Sequence, residues 1–166
     1  NFDSKKFKGI VERGQEHDKD KYSDKERIPY IYNTWMHKLE NEGEEFEMND
    51  KIKKQMEEAS KYHVTHNEHH PESHEDSSKM SDLDIAEMVA DWCAMSEELG
   101  GTPKEWADEK IDTKWKFTDA QQKTIYELIE TIWEPKKSWF RDSMVYPGAM
   151  LFEELMKFYE KASEEK

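Results

Sequence analysis

Between Tyr62 and His74 the chain places His63, His66, His69, His70 and His74, five of its seven histidines, with Asn67 among them and Pro71 directly after His70. Imidazole is the commonest protein metal ligand and titrates near neutrality, so a tract this dense predicts a metal site. On a helix with about 100° per residue, His63, His66, Asn67 and His70 share one face and His69 lies to its side. Side chains three, four and seven positions apart can converge on one pocket. Helical geometry therefore favours His66 over His69 as a ligand.

A second constellation follows Ser81. Ile85, Met88, Val89, Trp92 and Met95 form an apolar stripe bordered by Asp84, Glu87 and Asp91. A carboxylate at the margin of a core is poorly solvated and requires a cation or a donor. Asp91, flanked by Val89 and Trp92, is the candidate ligand among them. A third is His17-Asp18, with Lys21 one helical turn on. Adjacent side chains diverge by ~100° on a helix, but at a helix end both can bend toward one ion. Neutral imidazoles and carboxylates together suit Fe, Mn, Zn or Ni without selecting among them, so the expected cofactor is one or two divalent transition-metal ions.

Such a centre is suited to hydrolysis of a phosphate ester. A bound ion lowers the pKa of its water toward neutrality and neutralises phosphate oxygens. Lys21 is then expected to steady the phosphate or the leaving group. Glu87 and Asn67 are expected to orient a ligand histidine or relay a proton. The plainer alternatives are a solvated histidine face, a solvated acidic edge, and surface ion pairs for Lys21 and Glu87.

The elements that must position these groups read as helices. Ser23-Asp24-Lys25-Glu26 has capping-box form and opens a helix over Ile28 to Leu39 that stops near Gly43. Asn49 or Asp50 caps the next, running from Ile52 to His70, where Pro71 ends it. Residues 74–79 read as a loop. Ser81-Asp82-Leu83-Asp84 opens a strong helix that ends at Gly100-Gly101. Thr102-Pro103-Lys104-Glu105 opens a short one, and Thr118-Asp119-Ala120-Gln121 another through Trp133. Ala149 to about Ala162 carries Leu151, Phe152, Leu155, Met156 and Tyr159 on one stripe. No run alternates as a strand. The expected architecture is all-α, a single compact domain over 1–166 with about six or seven helices. The metal-site blocks lie within 15–99, and helices 118–134 and 148–163 complete the core.

Composition sets the surroundings. Charged residues reach 39%, against roughly 25% in an average domain. Apolar content is only 34%, yet six Trp, seven Tyr and seven Phe provide the large buried areas a small core needs. Trp106, Trp115, Trp133 and Trp139 are expected in that core, and Cys93 as packing rather than a nucleophile. The net charge of −14 disfavours direct nucleic-acid binding, which needs a basic face. It leaves open a small phosphorylated substrate such as a nucleotide, held through metal, or a basic host-protein partner. A lone cysteine, no apolar run near the ~20 residues of a membrane span and no signal-peptide pattern predict a cytoplasmic setting. Neither a glycine-rich phosphate loop nor a Gly-x-Ser-x-Gly elbow occurs.

Three blocks carry a resemblance. His17-Asp18-Lys19-Asp20-Lys21-Tyr22-Ser23 resembles the His-Asp-Leu-Ser-Lys-Phe-Ser block of an uncharacterised family of small bacterial and phage proteins. His63-x-x-x-Asn67-x-His69-His70-Pro71-Glu72 resembles its second block, and Glu87-Met88-Val89-Ala90-Asp91-Trp92 with Ala94-Met95-Ser96 its third. The pattern marks His17, Asp18, Lys21, His63, Asn67, His69, His70, Glu87 and Asp91, and places His66 at a variable position. A helix that unwinds before Pro71 would reconcile this with the helical wheel. The order His-Asp, His, His-His, Asp also resembles, more distantly, the HD-domain superfamily of all-helical metal-dependent phosphohydrolases. That likeness implies an HD-domain-like fold and a phosphate-ester substrate, plausibly a nucleotide or cyclic nucleotide. The superfamily usually has a further His upstream of its His-Asp pair, and none precedes His17 here. The rival expectations are a non-enzymatic phage or bacterial factor with a structural metal, in host cytoplasm if phage-encoded, and a diiron oxygenase.

Overall fold

The computed structural model describes residues 7–133. Six α-helices run in the order α1 (Ile10–Glu16), α2 (Arg27–Glu42), α3 (Asp50–His66), α4 (Asp82–Leu99), α5 (Pro103–Lys110) and α6 (Asp119–Ile132). Short 3₁₀ turns at Lys19–Tyr22, Pro71–Ser73 and Ser77–Lys79 fill the connections. Among the described residues there is no strand, only a bridge pairing Ile111 with Trp115. The expected all-α single domain is what forms. The predicted helix over 149–162, and Trp139, lie outside the described residues.

The helix starts follow local chemistry. Ser81 and Thr118 each accept a hydrogen bond from the backbone N–H three residues on, while Asp84 and Gln121 reach back to complete capping boxes. Asn49 caps α3 by accepting from the Ile52 N–H at 3.0 Å, and Thr102 caps α5 ahead of Pro103. Gly43, at φ 77, ends α2 in the left-handed conformation that glycine adopts without strain.

The core lies between α4, α5 and α6. Ile85, Met88, Val89, Ile125, Leu128 and Ile129 interdigitate there, each worth about 1.5–3 kcal/mol on burial. Gln121 ties the preceding loop to this core, donating to the carbonyls of Ser78 and Met80 at 3.1 and 3.0 Å. Cys93 is buried as packing, and Trp115 stacks on Trp92 with centroids 5.8 Å apart. Two expectations need correction: Trp106 is half exposed beneath the Lys110 ammonium, and Met95 at the end of the α4 stripe is exposed to a similar degree. Trp106 sits on a two-turn helix that buries only Pro103 and Ala107, so its indole has no second layer to enter.

α2 and α3 pack against each other with little apolar material, Ala59 being the one buried hydrophobic of α3. α1, which sequence periodicity does not announce, buries none of its residues. It is held across α4 by ion pairs from Arg13. No helix among the described residues is long and apolar enough to cross a membrane.

Candidate metal centre

Three pieces of backbone deliver the site. After α1 the chain leaves the helical conformation at His17 (φ −50, ψ 130) and turns left-handed at Asp18 (φ 58). Asp is one of the few non-glycine residues that adopts this region with any frequency. The break matters, because on a continued helix the two side chains would diverge. α3 ends at His66, and Asn67 is extended (φ −103, ψ 121), its own Nδ2 donating to the His63 carbonyl at 3.0 Å. His69 and His70 therefore leave the helix and turn back toward His63. α4 supplies Glu87 and Asp91, one turn apart on the edge that borders its apolar stripe.

These side chains meet. His63 Nε2 lies 3.1 Å from Asp18 Oδ1, and His17 Nε2 lies 3.4 Å from Asp18 Oδ2 and 3.5 Å from Asp91 Oδ1. Ring centroids are 4.1 Å apart for His69 and His70, 4.5 Å for His17 and His69, and 5.0 Å for His63 and His70. One ligand atom from each member lies within 4.8 Å of the others in three overlapping trios: His63-His69-His70, His17-Asp18-His69 and Asp18-Asp20-His63. The outer nitrogens face carboxylates. His17 Nδ1 donates to Glu87 Oε1 at 2.9 Å, which also stands 3.6 Å from His69 Nδ1. His63 Nδ1 donates to Asp20 Oδ2 at 3.0 Å and lies 3.2 Å from Glu26 Oε2. Asn67 braces Asp20 through a 2.6 Å bond.

The donor set suits a cation. His63 Nε2, His69 Nε2, His70 Nε2 and Asp18 Oδ1 are buried and have no hydrogen-bond partner. His63 Nε2 and Asp18 Oδ1 face each other at 3.1 Å, and, against the effect of burial, Asp18 raises the His63 pKa, so without an ion the pair draws a proton between them. A buried acceptor left without a donor costs about 1–3 kcal/mol, and four on one centre are what a metal ion would satisfy. An imidazole held from behind by a carboxylate is also the usual second layer of a metal site.

A comparison with protein families matches residues 3–134. The chain belongs to the family of unknown function DUF5662. The matched span of this DUF5662 chain takes in all six helices and every residue of the centre. No curated protein and no solved structure matches it.

Charge in the DUF5662 centre is tightly arranged. Burial alone would lower the His17 pKa, but hydrogen bonds to Asp91 and Glu87 and the charge of Asp18 outweigh it and push it up to about 10. Burial would raise Asp18, yet His63, Lys21 and His17 hold it well below the usual carboxylate range. Burial, with His69 and His63 adding to it, pulls His70 down to about 4. Burial and then His17 lower His69. At neutral pH the ion-free centre thus keeps a proton on His17, a positive charge among carboxylates that an ion would replace.

Of the residues marked from sequence, His17, Asp18, His63, His69, His70 and Asp91 converge. Lys21 reaches Asp18 Oδ2 at 2.5 Å, and Asn67 and Glu87 stand behind the histidines. His66 does not join them, which corrects the helical-wheel preference. It is exposed, stacked on Tyr62 with centroids 3.8 Å apart, and bonded through Nδ1 to the Tyr62 carbonyl at 2.8 Å. His74 donates to the Glu68 carbonyl.

Four further residues belong here. Glu26, 0% exposed, carries a sequence signal of a different meaning. Ser23 does accept from its backbone N–H, but the carboxyl turns inward to His63 instead of closing a capping box. Burial and then Asp20 raise its pKa. Asp20 lies between Asp18 and Lys21 in sequence without a spacing that distinguishes it. The Tyr30 ring meets His63 edge-on at 5.5 Å beneath the Lys21 ammonium, 4.8 Å away. Arg13 had no sequence signal at all.

Proposed function

We propose that this chain is a metal-dependent hydrolase of phosphate esters, with a nucleotide or cyclic nucleotide as substrate. The observation that carries the reading is the convergence of three buried imidazole nitrogens and one Asp18 oxygen, all without hydrogen-bond partners. His63, His69 and His70 with Asp18 would hold one divalent ion, and His17, Asp91 and the other Asp18 oxygen a second. The order of these ligands along the chain and the all-helical scaffold add the likeness to the HD-domain superfamily. A divalent ion bound there supplies an activated water and neutralises phosphate charge.

The remaining roles belong to the chain. Glu87 and Asp20 hold imidazole protons outward, so that the inner nitrogens present lone pairs. Lys21 stands at the rim, close enough to leave Asp18 and meet an incoming phosphate oxygen. Exposure is graded: His63 and His69 are buried, while the side chains of His17, Asp18 and Asp91 are 24%, 21% and 21% exposed. An ion on that side keeps a face toward solvent, as a catalytic site requires. A structural ion is the second reading, favoured by the burial of His63 and His69. A cytoplasmic setting and a bacterial or phage source go with the proposal.

The test is chelator-stripped protein titrated with Mn²⁺ and assayed on a panel of phosphomonoesters, phosphodiesters and nucleotides. Hydrolysis that depends on Mn²⁺ and is lost in folded Asp18→Ala and Asp91→Ala variants supports the hydrolase. Tight metal uptake with no turnover on any ester, and unfolding of those variants, would establish the structural ion.

A further inference from the structure

The centre depends on Glu87, whose Oε1 accepts the His17 proton and approaches His69. What fixes Glu87 is Arg13. Its Nη2 lies 2.6 Å from Glu87 Oε2, while Nη1 donates to Asp84 Oδ1 at 2.5 Å and lies 3.5 Å from Glu68 Oε2. Asp84 and Glu87 are buried on one face of α4, and the guanidinium spans them as a rigid fork. A lysine ammonium, being a single point, cannot reproduce that grip. Asp84 is itself fixed by Ser81, whose backbone N–H and hydroxyl both donate to Oδ2 at 2.8 and 2.7 Å. One arm of the fork is therefore anchored to the α4 cap, and the other sets the Glu87 carboxylate.

We infer that Arg13 is a positioning residue: through its own contact with Glu87 it aims the His17 imidazole at the metal centre. The inference rests on the metal reading only for its effect on metal affinity. The orientation of His17 is a property of the ion-free protein. The same contacts also fasten α1 to α4, and that fastening alone would be a merely structural role. The two roles separate because Asp84 takes part in the fastening without touching a histidine.

The experiment compares Arg13→Lys, Asp84→Asn and Glu87→Gln, with the Arg13→Lys/Glu87→Gln double variant, all in the full chain. In metal-free protein the readout is the NMR signal of the hydrogen-bonded His17 Nδ1 proton. It is expected in wild type and in Asp84→Asn, and is lost to solvent exchange in Arg13→Lys. Mn²⁺ affinity is the second readout. Arg13→Lys should weaken it about 10- to 100-fold, the usual cost of disturbing a group behind a metal ligand. In the Glu87→Gln background Arg13→Lys should change nothing further, since the effect passes through Glu87. Retention of the His17 proton signal in Arg13→Lys overturns the inference, as does an undiminished affinity loss in the Glu87→Gln background. If wild type takes up no Mn²⁺, the metal reading alone fails, and the His17 signal still decides the role of Arg13.

Discussion

The two sides of α4 solve opposite problems. Toward α5 and α6 it presents Ile85, Met88 and Val89 to an apolar core that excludes water and needs nothing else. Toward α1 and α3 it presents Asp84, Glu87 and Asp91 to a half of the molecule whose interior is ionisable. On the first side burial is itself the driving force. On the second, burial penalises each group until a counter-charge is found, and Arg13, Lys21 and a proton on His17 supply only part of it. One helix thus joins an apolar core to a cluster whose buried imidazole and carboxylate atoms are in part without hydrogen-bond partners.

The largest effect should come from the apolar side. Ile85, 0% exposed, packs in the core cluster between α4 and α6. Ile85→Ala should cost about 2–5 kcal/mol, by the same amount with or without divalent metal, as read by chemical denaturation. A cost that shrinks when metal is added would mean that the two sides are not separable.

The ionisable side should respond to metal in the opposite way. Saturating a site at a hundredfold excess over Kd adds roughly 2.7 kcal/mol, on the order of 10 °C in melting temperature for a domain this size. The increment should disappear in Asp18→Ala, which would line both sites, and shrink in His69→Ala, while Ile85→Ala keeps it. Thermal melts with and without Mn²⁺ would decide this, and an unchanged increment in Asp18→Ala would remove Asp18 from the ligands.

Protons sharpen the same contrast. His17, pushed up to about 10, lends the metal-free fold stability that is fully present below its ordinary value of 6.5 and is lost as pH rises through about 10. His70, pulled down to about 4, acts in reverse: below 6.5 the unfolded chain takes up a proton that the folded chain refuses, so stability falls with acid. The metal-free protein should therefore be most stable near pH 6.5. Metal must displace the His17 proton, so its stabilising increment should grow from pH 6.5 toward 10. Denaturation across that range, with His17→Gln as the comparison, tests both signs. A metal-free stability still rising at pH 9 in wild type would contradict the His17 assignment.

How far this division is legible in sequence differs between the sides. Apolar periodicity locates α4, and cap residues set the starts of α3 to α6 within a residue or two, because both signals are local. The ligand clusters are legible as chemistry, since His and Asp crowd where little else explains them. The supporting groups are not. Glu26 reads as the last residue of a capping box, and only the packing of α2 on α3 turns its carboxyl to His63. Arg13 sits in a seven-residue helix with no buried face, and its value comes wholly from Asp84 and Glu87, some seventy positions away. The wheel misplaces His66 and His69 for a related reason. Periodicity presumes an unbroken helix, and the extended backbone at Asn67 ends it.

That last contrast gives the smallest predicted effect and separates two histidines three positions apart. His66 is exposed on the final turn of α3, its ring against Tyr62, whose other contact is the Lys25 ammonium 3.1 Å from the ring centroid. Removing it takes away a solvent-exposed stack and a local bond to the Tyr62 carbonyl. His66→Ala should change stability by no more than about 0.5 kcal/mol, as surface substitutions away from special features do, and should leave Mn²⁺ affinity unchanged. His69 is 3% exposed and touches His17, His63 and His70, so His69→Ala should abolish one ion. Equal metal stoichiometry in the two variants would mean that the chain beyond Asn67 does not fold back on His63, and the centre would have to be redrawn around the helical face of α3.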